Sequence, residues 1–153
     1  MQPLQAGDKA PQFTLKDQNN NDVSLADFAG KKVLVYFYPK AMTPGCTVQA
    51  QNLRDVKAQL DDHNVVVLGI SPDPVKRLAK FAERDELNFT LLSDEDHAVA
   101  DAFGVWGLKK FMGREYDGIH RLSFLIGPDG TVEQFINKFK TKDHHQVVLD
   151  LLG

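Results

Sequence analysis

The sequence contains one cysteine, Cys46, in 153 residues. A lone thiol cannot close a disulfide within its own chain, so the fold cannot depend on one and needs no oxidising compartment. Long apolar stretches are also missing. The longest runs, Val33–Tyr38 and Val65–Ile70, fall far short of the roughly 20 residues of a membrane-spanning helix. There is no basic excess either. Lys and Arg number 18 against 21 Asp and Glu, for a net charge of −3, so neither nucleic acid nor an anionic membrane is expected as a partner. The opening Met1–Asp8 has no basic region and no apolar stretch, so no signal peptide is expected and the expected location is cytoplasmic. Repeats, linkers and low-complexity tracts are absent. What remains is an ordinary globular composition, 42% hydrophobic and 25% charged. The length suits one domain spanning residues 1–153, with a core of its own.

The pattern along the chain predicts an α/β fold. Gln12–Leu15 and Asp22–Leu25, separated by Asn19-Asn20-Asn21-Asp22, read as an N-terminal β-hairpin. Val33–Tyr38 and Val65–Ile70 are continuous apolar, β-prone runs, as expected for strands buried on both faces of a parallel sheet. Helical spacing follows each, from about Gly45 to Asp61 and from Pro74 onward. Phe89–Leu92 is a short strand, and Ser93–Asp96 precedes a short helix that ends at Gly104. Leu122–Ile126 and Val132–Ile136 flank Pro128-Asp129-Gly130 as a second hairpin, and Lys142–Leu152 closes the chain as an amphipathic helix. The order predicts a mixed central sheet flanked by helices, as in the thioredoxin-like fold, with the N-terminal hairpin as an extension. A flavodoxin-like sheet begins in the same way, but the late hairpin argues against it.

Cys46 follows the first buried strand, the break at Pro39 and the tripeptide Thr43-Pro44-Gly45, and it opens a helix. A thiol in the first turn of a helix faces unpaired N–H groups and the positive end of the helix dipole, both of which favour the thiolate. The gain is large: an ordinary thiol titrating near 8.5 is about 3% ionised at pH 7, and one titrating near 6 is about 90% ionised. The spacing excludes some thiolate chemistries. Dithiol exchange of the Cys-x-x-Cys kind needs a second cysteine where Thr43 or Gln49 stands, and a cysteine phosphatase needs an arginine where Asn52 stands. A Cys–His hydrolase is not excluded by counting, although none of the five histidines singles itself out. His144-His145 occupy adjacent positions of the last helix and are expected on a solvated face. No metal site is expected, since ligands are scattered singly. The acids of Ser93-Asp94-Glu95-Asp96-His97 read as helix-start charges. A phosphate-accepting receiver using Asp73 or Asp94 lacks the acidic cluster after the first strand.

Pro39-Lys40-Ala41-Met42-Thr43-Pro44-Gly45-Cys46 resembles the Pro-x-x-x-Thr-x-x-Cys signature of the peroxiredoxins. Arg121, opening Arg121–Ile126, is similar to that family's distal arginine. The likeness runs the whole chain, through Gly7-Asp8, Ala10–Phe13, Phe103–Gly107 and Ile126–Gly130. In detail it is nearest the bacterioferritin-comigratory (Q-type) branch. The resemblance implies a thiol peroxidase acting on hydrogen peroxide and alkyl hydroperoxides through a sulfenic acid at Cys46, with no cofactor. It implies catalytic roles for Cys46, Thr43, Arg121 and Pro39, backbone donors at Gly45 and Cys46, and support from Gln49, with Arg114 and Trp106 bordering the pocket. One departure matters. The branch carries a resolving cysteine five residues after the first or in the next helix, and here those positions hold Gln51 and Ala82-Glu83-Arg84. A one-cysteine cycle is therefore expected in a monomer, with thioredoxin or glutathione with glutaredoxin as the outside reductant. The alternative is a redox-sensing interaction module oxidised at Cys46 with little turnover.

Overall fold

A computed structural model describes residues 1–153. Seven strands form the main sheet: β1 (Thr14–Asp17), β2 (Asp22–Ser24), β3 (Lys32–Phe37), β4 (Val65–Ser71), β5 (Thr90–Ser93), β8 (Ser123–Ile126) and β9 (Val132–Ile136). Their order is β2-β1-β5-β4-β3-β8-β9. The pairs β3/β4 and β4/β5 are parallel, and β1/β2, β1/β5, β3/β8 and β8/β9 are antiparallel. The expected mixed sheet and N-terminal hairpin are both present. Strand β3 lies between a parallel and an antiparallel neighbour, and Cys46 follows from its carboxyl end. Ligand sites in open α/β sheets form outside the carboxyl ends of parallel strands.

Alternation along the buried strands splits the interior into two layers. Val33, Val35 and Phe37 face one side with Leu68, Ile70, Phe124 and Phe103. Leu34, Tyr36 and Tyr38 face the other with Val67, Leu125, Cys46 and Leu53. The second side is covered by α1 (Pro44–Asp55), α2 (Lys57–Asp62), α3 (Val75–Arg84) and α5 (His144–Leu152). The first is covered by α4 (Ala98–Phe103) and the N-terminal segment. In the parallel register Tyr36 is opposite Gly69. A Cβ at position 69 would stand 2.9 Å from the Tyr36 ring and hydroxyl, so only glycine lets that ring lie across the neighbouring strand.

The structure corrects the sequence reading at three places. The helix expected from Gly45 to Asp61 is two helices broken at Val56 (φ −107°, ψ 13°). No glycine or proline marks the break. The Asn88 amide donates to the Arg54 carbonyl at 3.2 Å, and the Val56 N–H turns back to Leu53 at 3.3 Å, which tightens the last turn of α1. The second difference is an unanticipated ribbon, β6 (Trp106–Phe111) with β7 (Arg114–Ile119), separate from the main sheet. Its turn, Met112-Gly113, has φ of 51° and 79°. A two-residue turn with both φ positive is usually announced by Asn-Gly or Asp-Gly, and methionine conceals it. The third is His144, which is fully buried and not on a solvated face. The acidic start of α4 behaves as expected: the Asp94 carboxylate accepts from the N–H groups of Val99 at 3.1 Å and Ala100 at 2.9 Å. No helix is long and apolar enough to cross a membrane.

Candidate active site

The site begins where β3 runs out. Tyr38 still bonds to the neighbouring strand through the Ile70 carbonyl at 3.1 Å. Pro39, half-buried, ends the ladder because it has no N–H. The next turn is held from α3. Asp73 accepts from the Ala41 N–H and the Ser71 hydroxyl, each at 2.7 Å, and Arg77 donates to the Ala41 carbonyl at 2.8 Å. Asp73 is thus a loop anchor. Met42 takes φ 66° and turns the chain into Thr43, the N-cap of α1. Threonine is a good N-cap, but the structure uses it otherwise. Its hydroxyl makes no cap bond and donates instead to the Lys40 carbonyl at 2.8 Å, leaving its oxygen as an acceptor. With no side chain capping α1, the N–H groups of Gly45 and Cys46 in its first turn have no helical partner.

Cys46 is buried, with 1% exposure. Arg121 reaches it from 75 residues away in sequence, its Nη2 donating to Sγ at 3.2 Å. The antiparallel pairing of β3 with β8 sets Tyr36 opposite Ser123, and the Phe37 N–H extends that ladder to the Leu122 carbonyl at 3.0 Å. Arg121 consequently arrives at the carboxyl end of β3, beside the start of α1. The other arm of the guanidinium, Nη1, donates to Gln49 Oε1 at 2.7 Å. Gln49 is fully buried and its Nε2 has no partner, so its one side-chain hydrogen bond is the one to Arg121. Thr141 completes this side. A Cβ at Gly45 would stand 3.5 Å from Thr141 Cγ2 and 3.7 Å from Arg121 Nη2. The sequence carried no signal for Thr141.

Around this centre the structure buries more polar chemistry. His144 Nε2 and Ser123 Oγ are 2.8 Å apart, while Nδ1 is buried without a partner. The ring lies against Phe139 and Tyr36, with centroids at 4.5 and 5.7 Å. Burial, reinforced by the Arg121 charge, depresses His144 to about 3, so it is neutral at pH 7. Tyr36 and Tyr38 stack at 5.5 Å with both hydroxyls unpartnered. Burial first, and the neighbouring Tyr38 and Cys46 next, hold the Tyr36 hydroxyl well above the usual tyrosine value. Lys109, its Nζ bonded to the Ile119 carbonyl at 2.8 Å, is lowered by burial and then by Arg121. Adjacent histidines and the Lys109-Lys110 pair give no sequence signal for any of this.

The geometry thus joins Cys46, Arg121, Gln49 and Gly45, and it sets Thr43 and Pro39 in the loop entering the same helix. It does not bring in Trp106 or Arg114. Trp106 stacks on His97 at 3.8 Å and packs against the opposite layer, and Arg114 is exposed beside the tip of the β6–β7 ribbon, paired with Phe111. Gln51, in the position where the branch carries a resolving thiol, donates from its side chain to Asp85 at 3.0 Å.

Comparison with known proteins gives the family. Residues 6–135 match the AhpC/TSA family. The chain is 61% identical to peroxiredoxin Bcp of Escherichia coli over 152 residues, covering 99% of this chain and 97% of that one. It superimposes on the peroxidoxin BcpB of Mycobacterium tuberculosis with a TM-score of 0.86 at 34% identity, covering 97% of this chain and 96% of the other. A cysteine-to-serine mutant of Xylella fastidiosa PrxQ matches with a TM-score of 0.93 at 29% identity, over 99% of this chain and 97% of the other. Sequence likeness and backbone likeness extend over nearly the whole length, so the chain belongs to the AhpC/TSA family and is a peroxiredoxin, a thiol-dependent peroxidase.

Proposed function

We propose that Cys46 is the peroxidatic residue, reducing hydrogen peroxide and alkyl hydroperoxides to water and alcohols. The observation that carries this reading is the 3.2 Å contact from Arg121 Nη2 to the sulfur. The sulfur attacks one peroxide oxygen, the O–O bond breaks, and the other oxygen leaves with the electron pair and takes a proton. Cys46 is left as a sulfenic acid. Charge moves from sulfur to the leaving oxygen during this step, and fixed donors aimed along that path stabilise it. Arg121 supplies a permanent cation with forked donors, held in place by Gln49. The N–H groups of Gly45 and Cys46 offer further donors. The Thr43 oxygen accepts the O–H of the arriving peroxide, because its own proton is committed to Lys40. Pro39 screens the sulfur from water without offering a competing donor.

There is no second cysteine in the chain, so the sulfenic acid is recycled by an outside thiol. A first thiolate displaces hydroxide to form a mixed disulfide, and a second thiol releases Cys46. Glutathione with glutaredoxin and thioredoxin are the candidate sources. The whole chain acts as one catalytic domain, in a monomer, in the reducing cytoplasm. A Cys46–Cys46 link between two chains is a side product of the sulfenic acid. Without a fast resolver, excess peroxide drives the sulfenic acid on to the sulfinic acid.

The test is stopped-flow peroxide consumption with each reductant supplied in turn, alongside mass spectrometry of Cys46. Sustained turnover with one added oxygen in the intermediate is expected. One oxidation per chain followed by no turnover with any thiol would instead describe a redox-sensing module.

A further inference from the structure

An open cavity of about 370 Å³ lies beside the loop that leads to Cys46, between Met42 and the start of α3. Its volume falls in the range of small-molecule sites. It is lined by Met42, Pro74, Lys76, Arg77 and Lys80. Three of these are cations and none is an acid, in a chain whose net charge is −3. Arg77 is partly committed, 3.2 Å from Asp73 and donating to Ala41. Lys76 and Lys80 are exposed, and neither takes part in the ion pairs of α3, which use Arg77 and Arg84. They stand four residues apart on one helix face, a spacing at which like charges oppose the helix. Elsewhere the same spacing is used for attraction, as in Lys57–Asp61 at 2.9 Å. No acidic side chain in the ion pairs of α3 offsets the two lysine charges.

The cavity adjoins the catalytic loop directly. Ala41 is bonded through both its N–H and its carbonyl to Asp73 and Arg77. Met42, the next residue, lines the cavity and packs against the apolar layer that contains Cys46. A molecule held there touches the segment that enters the Cys46 helix.

We propose that this cavity docks the reducing thiol, and that it selects a low-molecular-weight thiol carrying carboxylates, whose anions pair with Lys76 and Lys80. The inference rests on the peroxidase reading of Cys46 and adds the chemical class of its second substrate. The docked thiolate attacks the sulfenic sulfur and an S–S bond forms. The S–O bond breaks, and the hydroxide leaves as water after taking a proton. A second molecule of the same thiol then attacks the mixed disulfide, returning Cys46 and releasing the oxidised dimer of the small thiol.

The experiment separates the half-reactions. Protein oxidised with one equivalent of peroxide is reduced at low ionic strength by glutathione or by uncharged 2-mercaptoethanol, in the wild type and in the Lys76→Glu/Lys80→Glu variant. The ratio of the two rates should fall about tenfold in the variant, and the wild-type ratio should fall as salt is added. An unchanged ratio overturns the proposal. So does a thioredoxin rate that exceeds the glutathione rate and ignores the charge reversal. Titration of reduced protein with unreactive S-methylglutathione, followed by NMR, reads the site without any redox step. Shifts at Met42, Lys76 and Lys80 that vanish in the variant are expected, and no shifts there overturn it. If peroxide adds no oxygen to Cys46, the peroxidase reading fails, and the titration still decides on the binding site.

Discussion

The two faces of the sheet are built differently. The face under α4 is closed mainly by aromatic packing: Phe13, Phe37, Phe103 and Phe124 contact one another at centroid distances of 5.3 to 6.2 Å, and the buried Asp94 carboxylate is satisfied by two N–H groups. The face under α1, α3 and α5 buries Cys46, Gln49, His144 and two tyrosine hydroxyls among its aliphatic residues. Several of those polar atoms have no partner. A buried unsatisfied polar group costs about 1–3 kcal/mol, so this face gives up stability that the aromatic face does not. The unpartnered polar atoms and the lone sulfur thus lie on the same face, and the aromatic face carries none of them.

The comparison can be broken most decisively at Cys46. Cys46→Ser should abolish peroxide oxidation while leaving the melting transition nearly unchanged, read by mass spectrometry and thermal unfolding. A residual peroxidase rate would remove the sulfur from the centre of the polar face.

Next is Phe103→Ala, on the aromatic face, which should lower unfolding free energy by about 3–5 kcal/mol in urea titrations. The oxidation rate per folded molecule should stay the same. If that rate fell with stability, the two faces would not be separable.

Arg121→Ala should slow oxidation of Cys46 by about 10²–10³-fold in stopped-flow fluorescence, and slow reduction of the sulfenic acid far less. Equal slowing of both steps would argue against a charge-stabilising role.

The smallest effect at neutral pH, one that appears only on acidification, concerns His144. Its folded value, depressed to about 3, lies below the unfolded value of about 6.5. Above that unfolded value neither state binds the proton. As pH falls from about 6.5 towards 3, only the unfolded chain does, so stability is lost at up to about 1.4 kcal/mol per pH unit. His144→Phe should flatten the stability curve across that window, measured against the wild type by urea unfolding at each pH.

The aromatic face was largely legible in the sequence. Val33–Tyr38 and Val65–Ile70 are continuous apolar runs, and a run of that kind must be buried on both sides wherever it pairs. The β6–β7 ribbon was not legible: Leu108, Phe111, Met112 and Tyr116 are exposed on it, so no burial pattern marks its strands. The catalytic segment could be read because Pro39, Thr43, Gly45 and Cys46 lie within one turn and one helix start, where spacing fixes geometry. His144 could not. Adjacent histidines on a helix look like surface, and only the docking of α5 against Ser123 and Tyr36 decides that one of them is inside.

The amino-acid order alone determined the strands of the main sheet, most helix starts and a single thiol at the head of a helix, because periodicity, proline breaks and first-turn donors act over a few residues. Tertiary structure decided which arginine meets that thiol, that Gln49 steadies it, and that Lys76 and Lys80 are left facing a cavity without counter-ions. Those outcomes depend on strand order and on packing between segments tens of residues apart, and no local pattern encodes such distances.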